Sequence, residues 1–441
     1  MKIFKTRIKM PVGTLWLVPG LKLKRWFFLI VVGSIIAAIG VTIMFRLEPI
    51  ILLYRYAKKL FNNETVSLII GTLLVLIGAI IFVKAWQETN FSMMNIKGQR
   101  SRKAMGEALY RRMKLNHGPK IVAIGGGTGL STLLKGIKKL TNNITAIVTV
   151  GDDGGSSGRL REEMGILPPG DIRNCIAALA DDDDIVTKLF QYRFKMGEGI
   201  KGHSFGNLFI TAMSAICGDM VSAISESSKV LLIRGRVLPA TVDDMRLIAT
   251  MEDGTVVKGE SNIPEVGKRI IDLSSEPSEC NPTSDVIEAI NDADLIILGP
   301  GSLYTSIIPN LLVKGVSEAV SSSKAKKIYV CNVMTQPGET DNYSVSDHIR
   351  ALFRHAVKTG AKNKLFDAVL VNDFISFELA QKYEEKNSLP VEEDTGAIKE
   401  LGVEIVRARL IQDNKEGLVR HNPAKVAKAI YYWYMKKGKK N

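Results

Sequence analysis

Ile121-Val-Ala-Ile-Gly-Gly-Gly-Thr-Gly-Leu130 sets a short apolar run against a glycine-rich turn. Four small or branched apolar residues halted by glycine read as a buried strand, and Leu130 to Leu140 after the turn read as a helix. The arrangement recurs three times. Ile144-Thr-Ala-Ile-Val-Thr-Val150 runs into Gly-Asp-Asp-Gly-Gly-Ser-Ser-Gly (151 to 158), Leu295-Ile-Ile-Leu298 into Gly-Pro-Gly-Ser-Leu-Tyr-Thr-Ser (299 to 306), and Ile328 to Met334 into Thr-Gln-Pro-Gly-Glu-Thr (335 to 340). Strands alternating with helices predict an α/β, Rossmann-like fold with a mostly parallel sheet. Ligands bind such sheets outside the carboxyl ends of the strands, which is the edge these polar loops occupy.

The chain has 441 residues and a formal charge of +14, but the charge is unevenly placed. Residues 1 to 120 hold 20 Lys and Arg against 4 Asp and Glu, which leaves 39 basic and 41 acidic residues in the remainder. That near-neutral remainder argues against nucleic acid as a partner, because binding the phosphate backbone needs accumulated positive charge. The excess sits beside two uncharged apolar stretches, Trp26 to Phe45 and Thr65 to Val83, each about long enough to cross a bilayer as a helix. Lys22, Lys24 and Arg25 precede the first, and Lys84, Lys97 and Arg100 are among the basic residues after the second. The positive-inside rule then predicts a two-helix hairpin with both flanks cytoplasmic. Residues 1–86 form the expected membrane anchor, 87–118 a basic juxtamembrane linker, and 119–441 a cytoplasmic domain. Within that domain Lys229 to Ile263 reads as a small β insertion, since Asp253-Gly254 between alternating residues is a hairpin signal. Cys175, Cys217, Cys280 and Cys331 lack paired spacing, so neither a zinc site nor a disulfide framework is expected. The acidic run Asp181 to Asp184 reads as a solvated helix junction.

The loops carry the candidate chemistry. Gly126, Gly127, Thr128 and Gly129 open a helix whose first N–H groups suit an anion, although Leu130 stands where the dinucleotide fingerprint has its third glycine. Asp152 and Asp153 follow the second strand. Either holds the ribose of a dinucleotide such as NAD, or both hold Mg²⁺ beside phosphate oxygens wrapped by Gly154, Gly155 and Ser156, or one acts as a base. Pro168-Pro169-Gly170-Asp171 starts a helix, with Asp171 as its cap or a ligand contact and Arg173 and Asn174 in the first turn. His203, in Gly-His-Ser-Phe-Gly-Asn-Leu (202 to 208), either transfers a proton or holds its loop, and Asn207 is the better ligand contact. Gly299, Gly301 and Ser302 make a second phosphate-type loop, while Asn332 and Gln336 suit the polar edge of a base or sugar. Asp152, Asp153 and His203 are the catalytic candidates.

In this order the six motifs resemble the YvcK-type gluconeogenesis factor family, which is related to CofD, the 2-phospho-L-lactate transferase of coenzyme F420 synthesis. The resemblance covers about residues 119 to 435. It implies a Rossmann-like domain that binds a UDP-sugar such as UDP-N-acetylglucosamine and links peptidoglycan synthesis, cell shape and gluconeogenic growth in bacteria. Cell-wall synthesis proteins and a second copy of the chain, as a homodimer, are the candidate protein partners. The CofD branch implies instead a Mg²⁺-dependent transfer of phospholactate from a nucleotide-activated donor. The forms of the first and fifth motifs here resemble the YvcK branch. That branch's Arg-His-Asn before the last helix stands as Arg420-His421-Asn422, so the resemblance places Arg420 among the ligand contacts. Typical members are soluble, which makes the hairpin a departure.

Overall fold

A computed structural model describes residues 23–44, 48–60, 63–94, 113–180, 184–385, 387–411 and 419–438, and the chain falls into two compact units, Met1–Lys114 and Leu115–Asn441. The first unit contains the helices Leu23–Met44, Glu48–Leu60 and Glu64–Met94. Glu48 lies in the first turn of the middle helix and Lys58 and Lys59 in its last, so both ends carry the charge that its dipole favours. Among the described residues no single helix is long and apolar enough to cross a membrane; the shorter apolar runs are Val31–Gly40 and Leu68–Phe82 in this unit and Leu303–Leu312 in the second. The helices Phe205–Cys217 and Met220–Val230 of the second unit, bent by 120° at their junction, reach the length and apolar character of a span only when taken together. The greater part of the expected linker, residues 95–112, and Asp181 to Asp183 of the acidic run lie outside the described residues.

The second unit is built on seven parallel strands. In chain order these are β1 (Ile121–Gly125), β2 (Ile144–Val148), β3 (Arg236–Pro239), β7 (Leu295–Leu298), β8 (Lys326–Val330), β9 (Ala368–Asn372) and β10 (Glu404–Ala408). Their spatial order is β10-β9-β8-β7-β1-β2-β3. β1 pairs with β2 on one side, Ile121 opposite Ile144, and with β7 on the other, Ile121 opposite Leu295. Every residue of β1, β2 and β7 is buried, as strands covered on both faces must be. The order reverses between β1 and β7, and that switch point opens the crevice described below.

The helix after β1 runs over Gly127–Ile137 and so starts three residues earlier than the spacing predicts. Gly127 adopts φ +61°, which lets the backbone turn straight from strand into helix. Gly136 then serves as the close-packing glycine absent from position 130. A Cβ there would lie 2.1 Å from the Pro423 carbonyl oxygen, so the C-terminal helix Pro423–Gly438 rests directly on this backbone.

The β insertion is displaced from its expected bounds. Lys229 and Val230 end the helix Met220–Val230, which Asp219 caps through the Ser222 N–H, and Arg236–Pro239 joins the main sheet beside β2. The apolar run Val230 to Ile233 mimics a strand because it closes that helix. The separate sheet consists of β4 (Arg246–Met251), β5 (Val256–Lys258) and β6 (Ile270–Glu276), antiparallel and ordered β5-β4-β6. Asp253-Gly254 does form the turn between β4 and β5, with Gly254 at φ +82°. His355, buried in the helix Val345–Lys358, locks this sheet to the body: its Nε2 accepts the Leu273 N–H at 3.0 Å.

Candidate functional site

A crevice of about 670 Å³ opens at the carboxyl ends of β1 and β7, within the size range of small-molecule sites. Gly126 to Gly129 line one wall and Pro300 to Ser302 another; Asn332 and Gln336 come from the loop after β8, and Tyr383, Arg420 and His421 from the C-terminal third. The two glycine loops touch. A Cβ on Gly129 would stand 2.3 Å from the Pro300 carbonyl oxygen, and one on Gly126 would stand 2.6 Å from Asp171 Oδ2. Gln336 Nε2 donates to Ser302 Oγ at 2.7 Å and ties the second loop to the next strand's end. Gly299, at φ +73°, shapes the second loop without lining the crevice.

Both helix N-termini expected to await phosphate already face a carboxylate of the chain itself. Asp171 Oδ2 accepts the Gly127 N–H at 2.6 Å. Glu339 accepts Thr305 Oγ1 at 3.2 Å and lies 3.4 Å from the Tyr304 N–H, in the turn that Ser302 opens. Asp171 therefore does not cap its own helix, Pro169–Leu179, whose N-cap is Pro168. Burial drives the Asp171 carboxyl up to about 6 against the Gly127 hydrogen bond, and drives Glu339 up to about 7. Glu260, from the loop after β5, also lines the crevice; burial and the neighbouring Asp152 and Asp171 carboxylates hold its pKa well above the usual range. Asp152, Asp171 and Glu260 thus share the crevice with Arg420, the one Lys or Arg among the described lining residues.

Asp152 and Asp153 diverge. Asp152 lines the crevice, with Oδ1 accepting the Gly154 N–H at 2.9 Å. Asp153 turns toward the β insertion, where its Oδ1 accepts both the N–H and the hydroxyl of Ser261. The adjacent pair is therefore not the clamp that Mg²⁺ needs, and among the described residues no group of three or more His, Cys, Asp or Glu is placed to hold a metal ion. Gly154 and Gly155 turn the chain into the helix Gly155–Met164 and do not line the crevice.

Ser156, Arg173, Asn174, His203 and Asn207 gather in a second polar cluster instead, in which Ser156, His203 and Asn207 are buried and the other two partly so. Ser156 Oγ lies 2.9 Å from His203 Nδ1 and accepts Asn207 Nδ2 at 2.9 Å. Arg173 donates to Ser204 Oγ at 2.5 Å and to Asn174 Oδ1 at 2.8 Å. None of these five lines the crevice. Burial and the nearby Arg159 lower the His203 pKa, and the ring's contact with Ser156 Oγ ties its loop to the start of the helix Gly155–Met164.

Of the expected ligand contacts, Gly126, Gly127, Thr128, Gly129, Asp152, Gly301, Ser302, Asn332, Gln336 and Arg420 line this one crevice. Glu260 and Tyr383, which also line it, were not among them. Glu260 lies in a stretch whose alternation signals only a hairpin, and Tyr383 in a charged helix, Phe377–Glu384, with no buried residue.

Residues 121–411 match the family model for 2-phospho-L-lactate transferase CofD. A Bacillus subtilis gluconeogenesis factor is 51% identical over 313 residues, which cover 71% of this chain and 97% of that protein. A Nostoc putative gluconeogenesis factor is 48% identical over 95% of this chain and 92% of its own length. Coverage of that extent cannot be reached without most of the N-terminal unit, so the segment expected to be a departure is shared with this relative. A crystal structure of a Bacillus halodurans protein superposes with a TM-score of 0.68 at 47% identity, covering 71% of this chain and 99% of that one. The parallel sheet with its switch-point crevice, the loop motifs that line it and these identities together show that the chain belongs to the gluconeogenesis factor branch of the CofD family.

Proposed function

We propose that the body binds a nucleotide-sugar of the UDP-N-acetylglucosamine class and regulates cell-wall synthesis, cell shape and gluconeogenic growth without catalysing a reaction. The observation that carries this reading is the chemistry of the crevice. Asn332, Gln336 and His421 offer a base the polar groups it pairs with, and Arg420 offers a diphosphate its counter-charge. Asp152, Asp171 and Glu260 suit a third, hydroxyl-rich part, because carboxyl oxygens accept hydrogen bonds from sugar hydroxyls whether or not the group is ionised. The relatives' printed name, gluconeogenesis factor, supports the link to carbon metabolism.

We further propose that the body is held at the cytoplasmic face of the cell membrane by the N-terminal helices. Support comes from their unpartnered apolar side chains: Ile36, Leu68, Leu74 and Val75 are each at least 64% exposed within that unit. Proteins of cell-wall synthesis at that surface, and a second copy of this chain, are the partners we expect.

The second reading is a CofD-like transfer of a phospholactyl-type group, favoured by the family model over residues 121–411. Thermal melts of the full-length chain separate the two. A ligand at a hundredfold its dissociation constant stabilises by about 2.7 kcal/mol. The regulator reading expects an upward shift with UDP-N-acetylglucosamine, and no consumption of it with or without Mg²⁺. A shift with GDP or NAD alone would remove that reading, and Mg²⁺-dependent turnover of an activated phospholactyl donor would establish the transferase.

A further inference from the structure

His421 is half-buried at the rim of the crevice, yet its Nε2 is buried and lacks a hydrogen-bond partner among the described residues. Buried polar atoms are rarely left so. The rest of the residue is fixed on three sides. Its backbone bridges Ile411; Asn422 next to it donates its N–H to the Leu410 carbonyl at 2.6 Å and caps the C-terminal helix through the Ala424 and Lys425 N–H groups. The ring hydrogen-bonds to the Cys331 backbone. Since Nε2 is the unpartnered nitrogen, Nδ1–H makes that bond to the Cys331 carbonyl, which leaves a lone pair on Nε2.

Burial holds the ring's pKa down at about 4, so it is neutral at physiological pH. A neutral imidazole with one nitrogen committed as donor offers the other as acceptor only. Asn332 follows Cys331 directly and shares the crevice, so the same strand end that fixes the ring also presents an amide.

We propose that His421 is a specificity-determining residue whose Nε2 accepts a hydrogen bond from an N–H or O–H donor of the bound ligand, and so rejects ligands that present only an acceptor there. For a uridine nucleotide that donor is either the imino N3–H of the base or a ribose hydroxyl. The inference deepens the nucleotide-sugar reading and rests on it for the ligand, but not for the state of the ring.

The test has two arms on the full-length chain. ¹⁵N NMR of labelled imidazoles reads the ring without ligand: His421 is expected to remain neutral, with its proton on Nδ1, from about pH 5 to about pH 8. A ring that titrates in that window, or carries its proton on Nε2, overturns the inference whatever the ligand is. Calorimetry then compares UDP-N-acetylglucosamine with its N3-methyl, 2′-deoxy and 3′-deoxy analogues. One analogue should bind about tenfold or more weakly, since a buried acceptor loses its donor. His421→Phe should abolish that discrimination, and His421→Gln, which keeps an oxygen acceptor at similar reach, should restore it; melting temperatures of both variants check their folding. If the parent binds and all analogues bind equally well, His421 is not the reader and the nucleotide-sugar reading survives. If no uridine nucleotide binds, that reading falls, and the NMR arm still decides the ring.

Discussion

Gly129 leaves no room for a methyl group, because the Pro300 carbonyl oxygen would sit 2.3 Å from its Cβ. Gly129→Ala is therefore expected to cost about 2 kcal/mol or more in a urea melt, with loss of ligand binding following from loss of the loop pair. Gly127→Ala differs in kind. Its Cβ would meet only Ser306 Oγ at 3.7 Å, so the cost is the strain of φ +61°, about 1–2 kcal/mol. Asp171 makes a prediction in pH. Its carboxyl titrates near 6 in the folded chain against the usual 3.8, so the fold favours the protonated form. Stability from this group is fully present below the lower value and is lost as the pH rises through the higher one. Asp171→Asn keeps an oxygen for the Gly127 N–H and carries no charge. Its advantage over the parent should be absent at about pH 3.5 and grow to at most about 3 kcal/mol above about pH 7, as denaturant melts would show; an advantage that shrinks with rising pH would contradict the buried-acid assignment. At this scale the glycines and Asp152 were legible because strand-to-helix turns need glycine and polar ends. Asp171 and His421 were legible only as residue types, since whether a carboxylate caps its own helix or a distant one is decided by long-range packing.

The three-stranded insertion has a task that its own sequence does not disclose. It carries Glu260 into the crevice on a loop pinned by Asp153, whose carboxylate holds the Ser261 N–H at 2.9 Å. Asp153→Ala should leave the body folded and release that loop, so the Ser261 amide exchanges with deuterium faster; Asp152→Ala should not release it. Equal exchange in the two variants would show that Asp153 does not anchor the loop. The hairpin turn at Asp253-Gly254 was readable because few residues other than glycine accept φ +82°. The insertion's bounds were not, because an apolar run at the end of a helix and one in a strand look alike when only four residues long. The parallel sheet was readable for the converse reason. Its strands β1 and β7 are apolar throughout and each is followed by a glycine loop, a pattern that few alternatives share.

For the whole chain, the anchor reading predicts that a reporter after Asn441 and a tag before Met1 are both protected from protease in intact cells; digestion of the C-terminal reporter would refute it. The body, for its part, presents a problem of timing. β1 is the first strand of the sheet to be synthesised and lies in its middle, between β2 and β7. Its β7 edge stays open until Leu295 to Leu298 arrive, 174 residues after Ile121. At roughly 5–20 residues per second that is a wait of about 9–35 s. Throughout it a strand with every side chain destined for burial has one edge unpaired, the condition under which strands associate wrongly. Substitutions that weaken β7, such as Ile297→Ala, should therefore lower the yield of soluble protein during synthesis more than the melting temperature of the fraction that folds, and a pulse-chase of soluble chain against a melt of purified protein would measure the two separately.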